Sequence, residues 1–476
     1  MLKILFINAI DTTKEIQTKY PPLGIGHLIS ALRERYPDQI EFEVVDHDIV
    51  NALNEFRPDI VGISAVSQNY NRAIEYASII RKYGLLVICG GVHISMMPNS
   101  LSKDMGIGVI GEGEETICEL IGMYLKGDTF IPESLKSVKG IVYHYKGQIV
   151  ATDKREPIKW LDSLPLPDRT FFPVKQNTYM FTSRGCPFKC VFCSSTRFWK
   201  GVRCFSPDYI ANEIQQLIKQ GVNDISFYDD IFPLNTKRIK KLISVLRHRG
   251  ILGKVDFHCS IRANMVNDEI IIALKEMGTI SIGLGFESGC ERILQYLKGQ
   301  SVTLKDNINA VKTIKRHGLE ISGSFIIGSP NETMQEIKKT YEFIKHNKFT
   351  SFCVYPLTPL PGTPIWDYAL SKGLVSENMD WSKLDVEHGR LDSIIMSKNL
   401  TRKQLDKLFS MFEKLRIRRL FLRLIKVALK HPDRIPGFIY RKRRSVIQIT
   451  SDRVMGLICI VISAIVIILF FTSIEW

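Results

Sequence analysis

The run Ser183-Arg-Gly-Cys-Pro-Phe-Lys-Cys-Val-Phe-Cys-Ser194 decides how the rest of this 476-residue chain is interpreted. Its cysteines, Cys186, Cys190 and Cys193, have the spacing C-x3-C-x2-C. Three thiolates so close in sequence can converge on one metal centre, and a loop of this length does not easily supply a fourth ligand. An open coordination position distinguishes a catalytic metal site from a closed structural one. The run therefore predicts an iron–sulfur enzyme that binds a ligand at its open iron, with Phe188 and Phe192 packed around the centre to exclude water.

Two other interpretations of these cysteines are open. A zinc site would use Cys204 as the fourth ligand, although zinc favours paired C-x2-C knuckles. A disulfide framework fits poorly with a long chain whose first residues are typical of a strand and not of a signal peptide. The other cysteines are scattered through apolar segments, as buried free thiols usually are; they are Cys89, Cys118, Cys259, Cys290, Cys353 and Cys459.

The chain from residue 179 onward alternates short apolar runs with helical patterns, which predicts six βα units. Strands are expected at 179–183, 224–228, 255–261, 279–286, 320–327 and 351–357. Six such units fit a partial TIM barrel, in which the chemistry gathers at the carboxyl ends of the strands. The candidate site residues at those ends are Asp229, Asp230, Arg262, Glu287, Ser288 and Gly328.

The first ~125 residues show the same alternation, with strands expected at 3–8, 41–46, 60–64, 86–90 and 108–110. Five strands of this type predict a flavodoxin-like doubly wound fold, which binds ligands beyond the carboxyl ends of its strands. Small residues in those loops would let a flat, bulky ligand lie against the backbone. The candidate contacts are Ser64, Gly90, Gly91, His93, Gly111 and Glu112, and His93 is equally well explained as a capping or solvent-facing loop residue.

The cysteine spacing resembles the signature of the radical S-adenosylmethionine (SAM) superfamily, whose members share a partial (β/α)6 TIM barrel. The resemblance implies a [4Fe–4S] cluster on the three cysteines, with SAM chelating the fourth iron. It further implies that Asp229 and Asp230 meet the SAM amino group, unless they cap a helix, and that Arg262 holds the SAM carboxylate, unless it forms an interior salt bridge. Glu287 and Ser288 would bind the methionine or ribose portion, and Gly328 would lie beside the adenine.

The N-terminal loops resemble the cobalamin-binding domain that precedes the barrel in one branch of this superfamily. The chain lacks the Asp-x-His-x-x-Gly loop that ligates cobalt from below, since Asp46-His-Asp48 does not match it. The resemblance therefore implies cobalamin without a histidine under the cobalt. Arg203 and Ser206-Pro207 also match that branch.

The resemblance implies radical chemistry in which the cofactors perform the difficult steps and the protein positions them. The expected reaction is methylation of an unactivated carbon, in which a second SAM remethylates the cobalt. Two alternatives stay open: a cobalamin-dependent radical cyclase that forms a ring or a carbon–carbon bond, and a membrane-tethered sensor that binds cobalamin or a cluster without catalysis.

The net charge of +15 lies mostly in one segment. Residues 414–444 carry twelve Lys or Arg and one acidic residue, so the rest of the chain is nearly neutral and a broad nucleic-acid-binding face is not expected. The uncharged run 454–474 is long enough to span a bilayer and predicts a single-pass C-terminal anchor. Arg441 to Arg444 before it would place the catalytic domains in the cytoplasm.

These features predict five regions: a cobalamin-binding domain at 1–125, a linker with a hairpin at 126–172, a radical SAM barrel at 173–375, a basic helical region at 376–450 and a transmembrane helix at 454–474. The expected partners are a small, lipophilic substrate, an electron donor of the flavodoxin or ferredoxin type, and the membrane. The lipophilic character follows only from the expected anchor. The substrate contacts, in the barrel loops and in residues 371–406, carry no motif that identifies the substrate.

Overall fold

The computed structural model describes residues 1–13, 15–18, 21–172, 174–385 and 393–430. Residues Met1–Phe412 form one compact unit, and the residues from Glu413 onward belong to a second. The architecture is α/β, as predicted, with two largely parallel sheets in the first unit.

The N-terminal sheet consists of β1 (Leu2–Ala9), β2 (Ile40–Val45), β3 (Ile60–Ala65), β4 (Leu86–Gly90), β5 (Ile107–Val109), β6 (Ile141–Tyr145) and β7 (Gln148–Ala151). Their order is β2-β1-β3-β4-β5-β6-β7. The first five strands pair in parallel in the flavodoxin-like order 2-1-3-4-5. The predicted hairpin, β6 and β7, extends this sheet because β6 pairs antiparallel with β5.

The second sheet consists of β8 (Asn177–Met180), β11 (Asp224–Phe227), β12 (Asp256–Ser260), β13 (Thr279–Glu287), β14 (Glu320–Ile327) and β15 (Ser351–Pro356). All six are parallel and lie in chain order, β15-β14-β13-β12-β11-β8. A short antiparallel ribbon of β9 (Ser183–Arg184) and β10 (Arg203–Cys204) follows β8 and brackets the cysteine run.

Helices alternate with the strands in both halves of the first unit. In the N-terminal half they are α1 (Glu15–Thr18), α2 (Leu23–Arg35), α3 (Ile49–Phe56), α4 (Tyr70–Arg81), α5 (Val92–Met96), α6 (Glu114–Leu125) and α7 (Pro132–Leu135). They continue with α8 (Ser195–Trp199), α9 (Pro207–Lys219), α10 (Thr236–His248), α11 (Asp268–Met277), α12 (Glu291–Lys298), α13 (Leu304–Arg316), α14 (Met334–Asn347), α15 (Pro364–Ser371) and α16 (Arg402–Lys430). Short 3₁₀ turns lie at Ser67–Asn69, Pro98–Ser100, Leu161–Ser163, Ala263–Met265 and Trp381–Leu384.

Side-chain caps explain where several barrel helices begin. Ser206 accepts a hydrogen bond from Tyr209 N, and Pro207 occupies the first helical position of α9. Thr303 and Asp306 form a reciprocal capping box at the start of α13. These local signals are in the sequence, and they fix the first residues of α9 and α13.

The predicted transmembrane helix and membrane localisation are corrected by the structure. Among the helices of the described ranges, none is long and apolar enough to cross a membrane. The longest, α16, has Lys, Arg, Asp and Glu side chains along its length, and a bilayer core excludes such charges. The segment 454–474 itself, like Arg441 to Arg444, lies outside the described residues. A membrane-spanning helix is therefore not part of the α/β fold of the described chain.

Candidate functional site

The three cysteines of the motif lie together on the loop that follows β9, with half-buried side chains. The middle of the loop is attached to α12, because Val191 N donates to Leu297 O near the end of that helix at 3.0 Å. The loop therefore extends from the first barrel strand to the helix after the fourth, across the carboxyl ends of the strands.

Two further residues determine the course of this loop. Gly185 has φ +91°, and a Cβ at this position would lie 1.9 Å from Gly201 O, so only glycine fits. Arg197, on α8 directly after the loop, donates from Nη1 to Cys193 O at 2.8 Å. The loop is thus shaped by backbone contacts before any cofactor binds.

Burial acts on the thiols of Cys186 and Cys193 in the same direction. Burial raises the pKa of Cys186, and it raises the pKa of Cys193 to about 11. Such thiols ionise when they coordinate a metal. Cys204, the fourth ligand of the zinc alternative, lies instead beside Arg238 and Asp229, and burial raises the pKa of its thiol.

A mononuclear zinc site is not preformed. Within the described part of the chain, no three His, Cys, Asp or Glu side chains are grouped so as to hold one metal ion. Zinc ligands converge to about 2.3 Å from a single ion, whereas a four-iron cluster spaces its cysteines more widely. The half-buried triplet, with Cys204 apart from it, therefore fits the cluster better than zinc.

The two carboxylates after β11 have different surroundings. Asp229 is buried and accepts hydrogen bonds from Thr182 N at 2.6 Å, Thr182 Oγ1 at 2.5 Å and Ser183 Oγ at 2.6 Å. Burial raises its pKa to about 6, opposed by those hydrogen bonds. Asp230 instead accepts a hydrogen bond from Ser195 Oγ beside the cysteine loop. Asp229 thus positions the strand before the loop, and Asp230 lies beside the cysteine loop.

Arg262 lies directly against the cysteine loop. Its Nη1 is 3.3 Å from Cys190 Sγ, and its guanidinium stacks on Phe188 at 4.1 Å from the ring centroid. Its Nη2 donates to Lys298 O and Ser301 Oγ, both at 3.0 Å. Its buried Nε has no hydrogen-bond partner. A buried guanidinium with an unsatisfied donor beside the cysteines fits an anionic ligand such as the SAM carboxylate.

The residues after β13 are engaged within the protein. Glu287 is buried, has φ +56°, and forms an ion pair with Lys298 Nζ at 3.2 Å. Ser288 is also buried; its Oγ is 3.1 Å from Thr340 Oγ1 and accepts from Cys290 N at 3.1 Å. Both lie at the end of the strand where the sequence predicts them, but their polar groups contact protein atoms.

Gly328 lies at the end of β14 in a left-handed turn, with φ +89°. Its N–H donates to Glu332 Oε2 at 2.8 Å, and Ser329 N donates to the same oxygen at 3.1 Å. Burial raises the pKa of Glu332 to about 7. The turn needs glycine for its backbone conformation, and Glu332 fixes the turn.

The carboxyl edge of the N-terminal sheet gathers the small residues that the sequence predicts. Ser64 lies near the end of β3, Gly90 ends β4, and Gly91 follows with φ +101°. A Cβ on Gly91 would lie 2.6 Å from Ala65 O. Gly111, with φ +80°, donates from its N–H to Ser95 Oγ at 2.9 Å. This edge thus presents backbone rather than bulky side chains, as a flat ligand requires.

His93 does not belong to that edge. It is fully buried, stacks on Tyr70 with ring centroids 3.7 Å apart, and contacts the edge of Trp381 at 4.4 Å. Its Nδ1 and Nε2 are 3.1 Å from Ser67 Oγ and 2.9 Å from Ser100 Oγ. Burial lowers its pKa to about 3. The imidazole is a neutral core residue whose two nitrogens already have partners.

Glu112 joins the two halves of the unit. Its carboxylate forms buried ion pairs with Arg184 of β9 and, at 2.7 Å, with Arg203 of β10. Glu114, two residues further, pairs with Arg184 at 2.6 Å. The Gly111–Glu114 loop is thereby attached to the ribbon that brackets the cysteines, and Glu112 has a positioning role.

A cavity of about 320 Å³ lies at this junction. One wall is formed by Ser95, Gly111 and the Lys154–Ile158 segment, and the other by α8, from Arg197 to Trp199. The carboxyl edge of the first sheet and the helix that follows the cysteines therefore share one cavity.

The structure also identifies residues that sequence reasoning missed. Arg184 stands inside the motif run, but its partners, Glu112 and Glu114, are about seventy residues away. Lys298 and Arg197 occupy ordinary helical positions without a motif. No local pattern distinguishes these three from solvated basic residues, because their roles arise from contacts across the fold.

Comparison with known families agrees with this geometry. The radical SAM superfamily model matches residues 180–344, and the B12-binding domain model matches residues 11–121. The first match contains the cysteine loop and the strand ends after it, and the second contains the glycine-rich edge.

Similar proteins extend over most of the chain. An uncharacterized methyltransferase of Pyrococcus horikoshii is 33% identical over 411 residues, which cover 83% of this chain and 87% of that protein. The anaerobic magnesium-protoporphyrin IX monomethyl ester cyclase of Cereibacter sphaeroides is 25% identical and covers 85% of this chain and 68% of its own. Among solved structures, the radical SAM methyltransferase TsrM from Kitasatospora setae has the same fold, with a TM-score of 0.65, 18% identity and coverage of 79% and 77%.

The predicted pairing of a B12-binding domain with a radical SAM domain is confirmed. The two domains bring a [4Fe–4S] cluster, SAM and cobalamin as cofactors. The chain belongs to the cobalamin-dependent radical SAM methyltransferase family and is a radical SAM enzyme.

Proposed function

We propose that this chain transfers a methyl group from SAM, by way of cobalamin, to a carbon of a small-molecule substrate. The observation that carries the proposal is the shared cavity between the glycine-rich edge and α8. Methyl transfer needs the methyl carrier and the radical source close to one substrate, and a cavity between the loop after β5 and the helix after the cysteines supports such an arrangement.

Cys186, Cys190 and Cys193 would hold the cluster, and Arg262 would bind the SAM carboxylate. The unsatisfied Nε of Arg262 and its contact with Cys190 support this role. Asp230, beside Ser195, would accept the SAM ammonium group. Asp229 is a positioning residue, because its three hydrogen bonds fix the strand before the loop.

The remaining candidates act mainly through the backbone. Gly328 would let the adenine lie against the end of β14, and Ser64, Gly90, Gly91 and Gly111 would do the same for the corrin. When bound, the reduced cluster and SAM supply a carbon radical, and cobalamin supplies the methyl group. Phe188, stacked on Arg262, would shield the cysteine loop from water.

We further propose an electron donor of the flavodoxin or ferredoxin type, which a one-electron reduction requires. We also propose that the domains are limited to residues 1–125, 126–172, 173–375 and 376–450. The hairpin β6–β7 lies within the proposed 126–172 region, and its strands extend the N-terminal sheet. The lipophilic character of the substrate rested on the predicted anchor and stays an untested prediction.

The test is anaerobic reconstitution with iron, sulfide, hydroxocobalamin, SAM and a reductant, with a host-cell extract as the source of the methyl acceptor. Methyl transfer predicts both 5′-deoxyadenosine and S-adenosylhomocysteine among the products. Cys190→Ala would abolish formation of both products. Cys204→Ala, outside the triplet, would retain it. Absence of both products from a protein with a full complement of cluster and cobalamin would refute the proposal. 5′-Deoxyadenosine without S-adenosylhomocysteine would favour the ring-forming alternative.

A further inference from the structure

The cysteine loop has two flanks with different surroundings. One flank, formed by the β9–β10 ribbon and α8, faces the N-terminal half, because Arg184 of the ribbon pairs with Glu112. The other flank lies against α12 and α15, since Val191 N donates to Leu297 O at 3.0 Å and Val191 O accepts from Ile365 N at 3.4 Å. A side chain exposed on α12 or α15 is thus one helix away from the cysteine loop.

The outer side of α12 and α15 carries two tyrosines and three cations. This tyrosine–cation surface is defined by Arg292, Tyr296, Tyr368, Lys372 and Lys398, which are exposed except for the half-buried Tyr368. Arg292 and Tyr296 are four residues apart, as are Tyr368 and Lys372, and residues with this spacing are neighbours on a helix surface. Lys398 Nζ lies over the Tyr368 ring, 5.5 Å from its centroid. Burial raises the pKa of Tyr296 and nearby Tyr368 raises it further, so the two helices present their tyrosines together.

Hydrogen bonds to one turn fix two of the cations. Arg292 Nη2 donates to Asn331 O at 2.9 Å, and Lys398 N donates to Pro330 O at 2.8 Å. Both cations therefore lie beside the turn that follows β14, at the carboxyl end of the second sheet.

The positive charge of this surface is only partly balanced. Arg292 forms an ion pair with Glu336 at 2.7 Å. Among the described residues, no carboxylate pairs with Lys372 or Lys398. Asp367, the carboxylate of α15, lies about 100° around the helix from the tyrosine. Unbalanced cations of this kind attract and orient an acidic partner.

The surface is close to the cysteines. Tyr296 directly precedes Leu297, and Cys190 directly precedes Val191, so the Cα atoms of Tyr296 and Cys190 are at most about 15 Å apart. Single-electron transfer through protein weakens exponentially with distance. A reductant that docks over Tyr296 would therefore be well placed to reduce a cluster held by the cysteine loop.

The composition of the surface is typical of a protein interface. Aromatic residues are enriched at the centre of such interfaces, and charged residues form the rim. Electron-transfer complexes are among the smallest interfaces, so a surface of a few residues suffices for them. Lysines around tyrosines fit a partner that presents carboxylates around an apolar centre.

We propose that the tyrosine–cation surface is the docking site of the electron donor, and that the donor is a small acidic protein whose carboxylates surround its redox group. The donor loses one electron and the oxidised cluster gains it; no bond forms or breaks, and no proton moves. The assignment rests on the proposed function for the need of a reductant. It adds where the reductant binds and the sign of the charge that it carries.

Reversing the charge of the lysines tests the surface without a substrate. The holoenzyme is mixed with a purified, fully reduced bacterial flavodoxin, and rapid freeze-quench electron paramagnetic resonance follows formation of the reduced cluster. Lys372→Glu combined with Lys398→Glu should slow cluster reduction about tenfold or more at low ionic strength, and high salt should narrow the difference. The control is Lys237→Glu combined with Lys241→Glu, two exposed lysines four residues apart on α10, which should leave the rate unchanged. Dithionite, which needs no docking site, should reduce all three proteins at one rate.

A loss of less than about threefold in the Lys372→Glu, Lys398→Glu protein, or a larger loss in the α10 variant, would overturn the assignment. A wild-type cluster that dithionite reduces and flavodoxin does not would overturn it as well. Normal reduction by flavodoxin without methyl transfer to any molecule of a host-cell extract would refute the proposed function instead and leave the docking site in place.

A second measurement uses the unmodified protein. A water-soluble carbodiimide joins lysine amines to carboxylates in contact with them, and peptide mass spectrometry of the holoenzyme treated together with flavodoxin identifies the joined lysines. Lys372 and Lys398 are expected in cross-linked peptides, whereas Lys237 and Lys241 are not. Cross-links that include neither Lys372 nor Lys398 would overturn the assignment.

A matched pair of tyrosine variants tests the centre of the surface. Tyr296→Ala should raise the flavodoxin concentration for half-maximal reduction about fivefold, and the effect should persist in high salt because it removes an apolar contact. Tyr83→Ala, which removes a similarly exposed tyrosine from the N-terminal half, should leave that concentration unchanged. Equal values for Tyr296→Ala and the wild type would overturn the place of Tyr296 at the centre of the docking site.

Discussion

Arg184 and Glu112, 72 residues apart in the sequence, form a buried ion pair between the ribbon that brackets the cysteine loop and the carboxyl edge of the N-terminal sheet. Both side chains are less than a tenth exposed. Glu114 and Arg203 complete the network. The pair thus holds the ribbon beside the cysteine loop against the loop that follows β5.

Replacing Arg184 by methionine should destabilise the protein by about 3–5 kcal/mol, because the change leaves two buried carboxylates with only one arginine. The free energy of unfolding from urea denaturation measures this effect. The matched control is Arg247→Met, which removes an exposed pair with Glu276 and should cost less than about 1 kcal/mol. Equal costs for the two variants would contradict the role given to Arg184.

Gly185→Ala should prevent the cysteine loop from adopting its conformation. The new Cβ would meet Gly201 O, and alanine tolerates φ +91° poorly. We expect reconstituted protein with well under half the normal iron content and a weakened cluster absorbance. Gly221→Ala is the control, since φ is +85° there but the space is open. A normal iron content in the Gly185→Ala variant would show that the loop binds the cluster without this backbone conformation.

Histidine burial predicts a pH dependence of stability. Burial lowers the pKa of both His27 and His93 to about 3, whereas an unfolded histidine titrates near ~6.5. The unfolded state therefore binds more protons between these values, and stability should fall as the pH drops from ~6.5 toward ~3. The slope approaches about 1.4 kcal/mol per pH unit for each histidine.

Urea unfolding at pH 7 and pH 5 checks this slope, and His93→Gln should reduce it. His93→Gln should also leave cobalamin content within about twofold, because the imidazole is enclosed by Tyr70 and Trp381. The exposed His47 provides the control variant, His47→Gln. Loss of cobalamin from a folded His93→Gln protein would contradict this prediction and indicate that His93 contacts the cofactor.

The two aspartates after β11 should respond differently to amidation. Asp229→Asn replaces an oxygen that accepts from Thr182 and Ser183 with a donor, which should cost about 1–3 kcal/mol of stability. Asp230→Asn should leave stability within about 1 kcal/mol and weaken SAM binding roughly tenfold or more. Calorimetric titration of the cluster-loaded protein with SAM measures the second effect. If Asp229→Asn weakened SAM binding and Asp230→Asn lowered stability, the roles given to the two aspartates would be wrong.

Much of the fold was predictable because its signals are local. Apolar runs such as 320–327, and caps such as Ser206, depend on residues a few positions apart, and the strands formed at those positions. The anchor prediction shows the limit of the same reasoning. Hydropathy predicted a span at 454–474, yet no helix in the described ranges could cross a membrane.

The candidate site was predictable in identity but not in arrangement. The spacing of Cys186, Cys190 and Cys193 indicated the cluster, and the glycines at strand ends indicated backbone contact with a flat ligand. The expectation for His93 left a surface role open, whereas the structure buries it between Tyr70 and Trp381. A lone histidine carries no local signal that distinguishes a buried position from a ligand-binding one.

The sequence by itself determined the chemistry of this protein, because three thiols within eight residues and glycines at strand ends need no distant partner to be recognised. Tertiary structure alone decided which carboxylate lies beside the cysteine loop, which arginine joins the two halves, and that His258 and Asp224 on neighbouring strands of the second sheet are in contact. The physical reason is that burial, ion pairing and shared faces depend on residues brought together by strand pairing. Arg184 with Glu112, and His258 with Asp224, are neighbours only in the folded chain.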